Sequence, residues 1–172
     1  MATLEIGPLT NFLDDDEIAA IMRALEEHGA PALDGDGDDD AHVIESNIDD
    51  DLLADFRDQL EANDAGCDIY LPVEFEDVFE AAGYTIGSAP ALLLALANMQ
   101  DDIGIDEDDE DDDDVDDDDF DDDDIGPEPL GFDDDANAID LKDQHMRHLW
   151  RAFHRGANAA IHRNVPLFVR MD

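Results

Sequence analysis

The chain has 172 residues, with 51 Asp and Glu against eight Lys and Arg and a formal net charge of −43 at pH 7. That length suits one domain with one modest core, and a hydrophobic fraction of 43% is ordinary for a folded protein, so the chain as a whole is not a disordered polymer. So much negative charge repels nucleic acid and anionic membranes and attracts basic proteins and metal cations; direct nucleic-acid or membrane binding is excluded as the main activity.

The first predicted element is a helix in "DDDEIAAIMRALEEHG". Ile18, Ile21, Met22 and Leu25 recur at helical spacing, one of Asp14 to Asp16 can cap the start, and Gly29 can end it. "PALDGDGDDDAHVIE" follows and reads mostly as a loop. Within it Asp34, Asp36, Asp38 and Glu45 hold the first, third, fifth and twelfth positions of a calcium loop. The sixth position, which needs Gly for a sharp turn, holds Asp39, so these four are weak metal candidates in a chain where such matches arise easily. A second helix is expected in "NIDDDLLADFRDQLEAN", with Ile48, Leu52, Phe56 and Leu60 on one stripe and Asp49 to Asp51 at the positive end of the helix dipole.

The period then changes. In "CDIYLPVEF", Cys67, Ile69, Leu71, Val73 and Phe75 alternate with other residues, which predicts a strand with one buried face. Pro72 cannot donate to a ladder and places that strand at an edge or a bulge. "VFEAAGYTIGS" carries a turn signal at Gly83 and is expected to complete a hairpin near 66–87. Ser88 caps the next helix, "APALLLALANMQ", and Pro90 sits in its first turn. Apolar nearly all round, this helix is the expected centre of the core.

Residues 106–135 form an acidic insertion and linker between an N-terminal part, 1–105, and a C-terminal part, 136–172, of the same domain. From 106 to 124 the only residues that are not acidic are Val115 and Phe120, and Ile125 keeps their spacing of five. That spacing matches neither helix nor strand, and a run of Asp cannot bury enough apolar surface to offset the entropy of ordering, so the insertion is expected to be disordered. One reading makes it a solvated, solubilising loop. The sharper reading is a polyanionic arm in which Asp111, Asp112, Asp113, Asp114, Asp121 and Asp122 meet a basic partner while Val115, Phe120 and Ile125 add apolar grip. Its composition is like that of acidic activation arms.

After the linker "GPEPLGF", "IDLKDQHMRHLWRAFHRGANAAIHRN" predicts a long helix with Met146, Leu149, Phe153, Ala157 and Ile161 inward. Arg147, Arg151 and Arg155 lie four apart on another face. Either the acidic arm masks that basic face, or nearby acids of the same domain pair with it. His145 and His148 are three apart, but no convincing set of further metal ligands accompanies them. "VPLFVRMD" ends the chain as a short strand. Cys67 is the only cysteine, so no intrachain disulfide forms, and its strand position makes it a small core residue.

These elements predict a small single α+β domain of about four helices and a small sheet, made from the hairpin and the C-terminal strand and interrupted by the Asp-rich insertion. No phosphate loop, nucleophile elbow or zinc motif is present, and no cofactor is implied. The N-terminus lacks the pattern of a signal peptide and no run is long enough to span a bilayer, so a cytoplasmic location is expected. The function that follows is non-enzymatic: an acidic binding protein for a basic macromolecule such as a nucleic-acid-binding protein or toxin, in an inhibitor, immunity or chaperone-like role. The alternative is an ordinary or assembly domain of a salt-loving organism, acidic for solubility and binding divalent cations diffusely. The oligomeric state is left open.

Overall fold

The computed structural model describes residues 1–31, 33, 39–104 and 134–171, with the backbone alone for 134–140. Four helices pack on one six-stranded mixed sheet, the α+β class expected. In chain order the elements are β1 (Ala2–Ile6), α1 (Asp15–Glu27), β2 (His42–Ile48), α2 (Asp50–Ala62), β3 (Ile69–Leu71), β4 (Phe79–Ala81), β5 (Tyr84–Ser88), α3 (Ala89–Ile103), α4 (Asp134–Arg163) and β6 (Leu167–Met171). The strand order is β2-β1-β6-β3-β5-β4. β3 and β5 run parallel and every other pair is antiparallel.

The sheet is larger than the sequence suggested, because β1 and β2 join it. β1 alternates cleanly, with Ala2, Leu4 and Ile6 buried. β2 spans the end of the stretch read as loop and the start of the stretch read as the second helix, so Ile48, expected on that helix's stripe, is instead a buried strand residue. β2 is an edge strand with one ladder to β1, and its mixed exposed and half-buried residues show no clear alternation. The expected C-terminal strand is present as β6, which lies between β1 and β3 and ties the two ends of the chain together, Ala2 opposite Met171 and Ile6 opposite Leu167.

The hairpin is also shorter than expected. It is β4–β5 alone, turning through Ala82 and Gly83, both at positive φ (54° and 84°), the geometry of a tight hairpin turn in which glycine is at ease. β3 keeps only three of the nine alternating residues and is central, not at an edge, with β6 on one side and β5 on the other. Pro72 falls one residue beyond it, so no ladder bond is lost. All of Ile69, Tyr70 and Leu71 are buried, because helices cover both faces.

One face of the sheet packs on α2, α3 and α4, through Leu4, Ile6, Tyr70, Leu167 and Val169. The other packs on α1, through Ile69, Leu71, Phe79, Ile86 and Phe168. α4, rather than α3, is the central helix: it touches α2, α3, β1, β2 and β6. Met146, Leu149, Phe153 and Ala157 are buried as expected, but Ile161 is 36% exposed and Ala160 takes the inward place. In α1 Ile21 and Leu25 are buried while Met22 faces out, and in α2 Leu53 joins the buried Phe56 and Leu60. Capping follows the sequence. Asp49 accepts from the N–H groups of Asp51 and Leu52 at 3.0 and 3.2 Å. Ser88 accepts from Ala91 N–H and donates to Val73 C=O, at 3.4 and 2.8 Å.

Tyr70 supplies a buried polar link. Its hydroxyl donates to Ala65 C=O at 2.6 Å and accepts from Cys67 N–H at 3.1 Å. Tyr70→Phe strands that buried N–H and carbonyl, so it is expected to cost about 1–3 kcal/mol in a urea-unfolding comparison.

Candidate partner-binding surface

Most of the cations are used within the fold. Arg57 pairs with Asp68 at 2.9 Å, Lys142 with Asp55 at 2.7 Å, and Arg170 with Glu5 at 3.1 Å. Arg163 lies 2.7 Å from His42. On the predicted basic face of α4, Arg155 and His148 both reach Glu45 of β2, at 3.5 and 3.0 Å. Arg147 donates to Ile103 C=O at 3.3 Å, at the C-terminal end of α3 where a cation meets the negative end of the helix. Arg151 is exposed on the same helix. With eight Lys and Arg for 51 acids, one-to-one pairing leaves the great majority of carboxylates without a cation.

The placement of those carboxylates is informative. Acids open α1 (Asp15, Asp16, Glu17) and α2 (Asp50, Asp51), where the helix dipole welcomes them. They also close three helices, where the dipole disfavours them: Glu26 and Glu27 in α1, Glu61 just before the end of α2, and Asp101 and Asp102 in α3, none with a basic residue in the last turn. Asp64 goes further. It follows the end of α2 at φ 59°, a left-handed position where glycine is usual, and the backbone closes around it through Ala65 N–H to Leu60 C=O at 2.8 Å.

Glu61 and Asp64 face Glu76 and Asp77 of the β3–β4 connection across an open depression of about 550 Å³, with Gly66 and the exposed Val78 in its wall. A Cβ on Gly66 would collide with Glu61, so glycine lets the chain turn close beneath that side chain. Four carboxylates from two separate segments thus line one mouth. No sequence motif announces it, although the acids at the C-terminal end of α2 were a visible sign.

Beneath this mouth lies Cys67, fully buried. Its thiol is pushed up to about 12 by burial, with Asp68 adding to the rise and Arg57 opposing it. Burial likewise raises Tyr70 above the ordinary phenol range. Both groups are therefore neutral and unreactive in the folded state. An unfolded thiol ionises near 9.0, so this contribution to stability is intact below that pH and declines as pH rises toward 12. The expected result is a urea midpoint that falls above about pH 9, by up to about 1.4 kcal/mol per pH unit for the thiol, with a shallower fall in Cys67→Ala.

Asp111, Asp112, Asp113, Asp114, Val115, Phe120, Asp121, Asp122 and Ile125 lie outside the described residues, as do Asp34, Asp36 and Asp38. Glu45 is in β2, engaged by α4. His145 and His148 border a shallow hollow with Glu45, Asn47 and Asp49, but among the described residues no three His, Cys, Asp or Glu side chains are grouped to hold a metal ion. No described helix is long and apolar enough to cross a membrane.

Residues 60–169, well over half of the chain, match the model of a family described as "Putative DNA-mimic protein". The chain belongs to this family. The matched segment begins at the end of α2 and takes in the carboxylate-lined mouth, the acidic insertion, α3, α4 and most of β6; β1, α1 and β2 precede it. No curated protein and no solved structure is significantly similar to the chain.

Proposed function

We propose that this DNA-mimic family member is a non-enzymatic protein that presents carboxylates where DNA presents phosphates, and so occupies the DNA-binding surface of a basic protein. One observation carries the reading. Within the segment the family model spans, carboxylates stand where folding disfavours them, at the C-terminal ends of α2 and α3 and at the left-handed Asp64. Breaches of local folding rules concentrate at functional surfaces. The acidic insertion, with Asp111 to Asp114, Asp121 and Asp122 and the apolar Val115, Phe120 and Ile125, extends that surface as an arm. In this reading Arg147 and Arg155 brace α4 against α3 and β2 and belong to the scaffold, and Arg151 is an exposed residue of the same helix. The biological outcome is inhibition or shielding of a nucleic-acid-binding protein.

The test is competition. A basic protein captured from host lysate on the immobilised chain at about 0.15 M KCl is expected to be released by duplex DNA, and binding of the chain and of DNA to it to be mutually exclusive. A ternary complex with DNA, or no capture at all, overturns the proposal.

A further inference from the structure

We draw no further inference here: the strongest candidate, the open groove of about 360 Å³ that Phe12, Tyr84, Phe168 and Arg170 line beside β5 and β6, carries none, because its charged side chains Arg170 and Asp68 are already paired within the fold and nothing in the structure shows what covers it.

Discussion

Phe153→Ala is expected to lower the unfolding free energy by about 3–5 kcal/mol, read as a fall in the urea midpoint with an unchanged slope. Phe153 is fully buried on the helix that touches α2, α3 and three strands. Its ring stands 4.9 Å from Phe56 in a tilted pair and 6.5 Å from Tyr70 edge-on. Truncation removes both aromatic contacts and leaves a void that α2 and β3 would have to move to fill. Small domains have about 5–15 kcal/mol in all, and self-repulsion in this chain draws on that margin, so the comparison belongs at about 1 M KCl, where the screening length is roughly 3 Å. Ile161→Ala on the same helix, at a half-exposed position, is the control and is expected to cost less than about 1 kcal/mol. A cost for Phe153→Ala as small as that of the control means that α4 is not the packed centre.

The helices were legible because their apolar residues keep a period that only one conformation satisfies. Ser88 and Pro90 mark the start of α3 through local chemistry, and the fold uses both as expected; Asp49, expected only as an acid at the positive end of the α2 dipole, is also that helix's hydrogen-bonding cap. Strands were less legible wherever burial departs from simple alternation. β3 is covered on both faces, so Tyr70 is as buried as Ile69, and the long alternation from Cys67 to Phe75 overstated the strand. β2 faces solvent along one edge, and its half-polar sequence resembles the loop before it. Net charge announced the class of partner, but the carboxylate-lined mouth needs Glu61 and Asp64 brought opposite Glu76 and Asp77, a contact between segments that no local pattern encodes. The arginines show the same limit. Their spacing of four was plain, but that Arg147 turns to the end of α3 and Arg155 to β2 depends on tertiary neighbours.

Removing residues 106–124 is expected to weaken binding to the basic partner about 100-fold at about 0.1 M KCl, and only a few-fold at 1 M. Seventeen carboxylates leave with that segment. If about four of them engage the partner at any moment, at about 0.7 kcal/mol each, the loss is roughly 3 kcal/mol, which is a factor of about 100. The amide variant Glu61→Gln, Asp64→Asn, Glu76→Gln and Asp77→Asn removes four charges while keeping shape, and is expected to lose about 1–4 kcal/mol of binding with the same dependence on salt. Titration of the isolated partner at the two salt concentrations measures both.

The comparison also separates recognition from adaptation to a salty solvent. The amide variant relieves acids at the negative end of α2, so it is expected to be at least as stable as the parent in dilute salt. If the carboxylates serve the partner, stability is kept or rises while affinity falls. If they serve only the solvent, the parent folds poorly in dilute salt, the variants fold better there, and affinity for basic proteins is unchanged. Opposite signs for stability and binding in one variant are what a surface selected for recognition produces, because its charges were placed against the preferences of the helix that carries them.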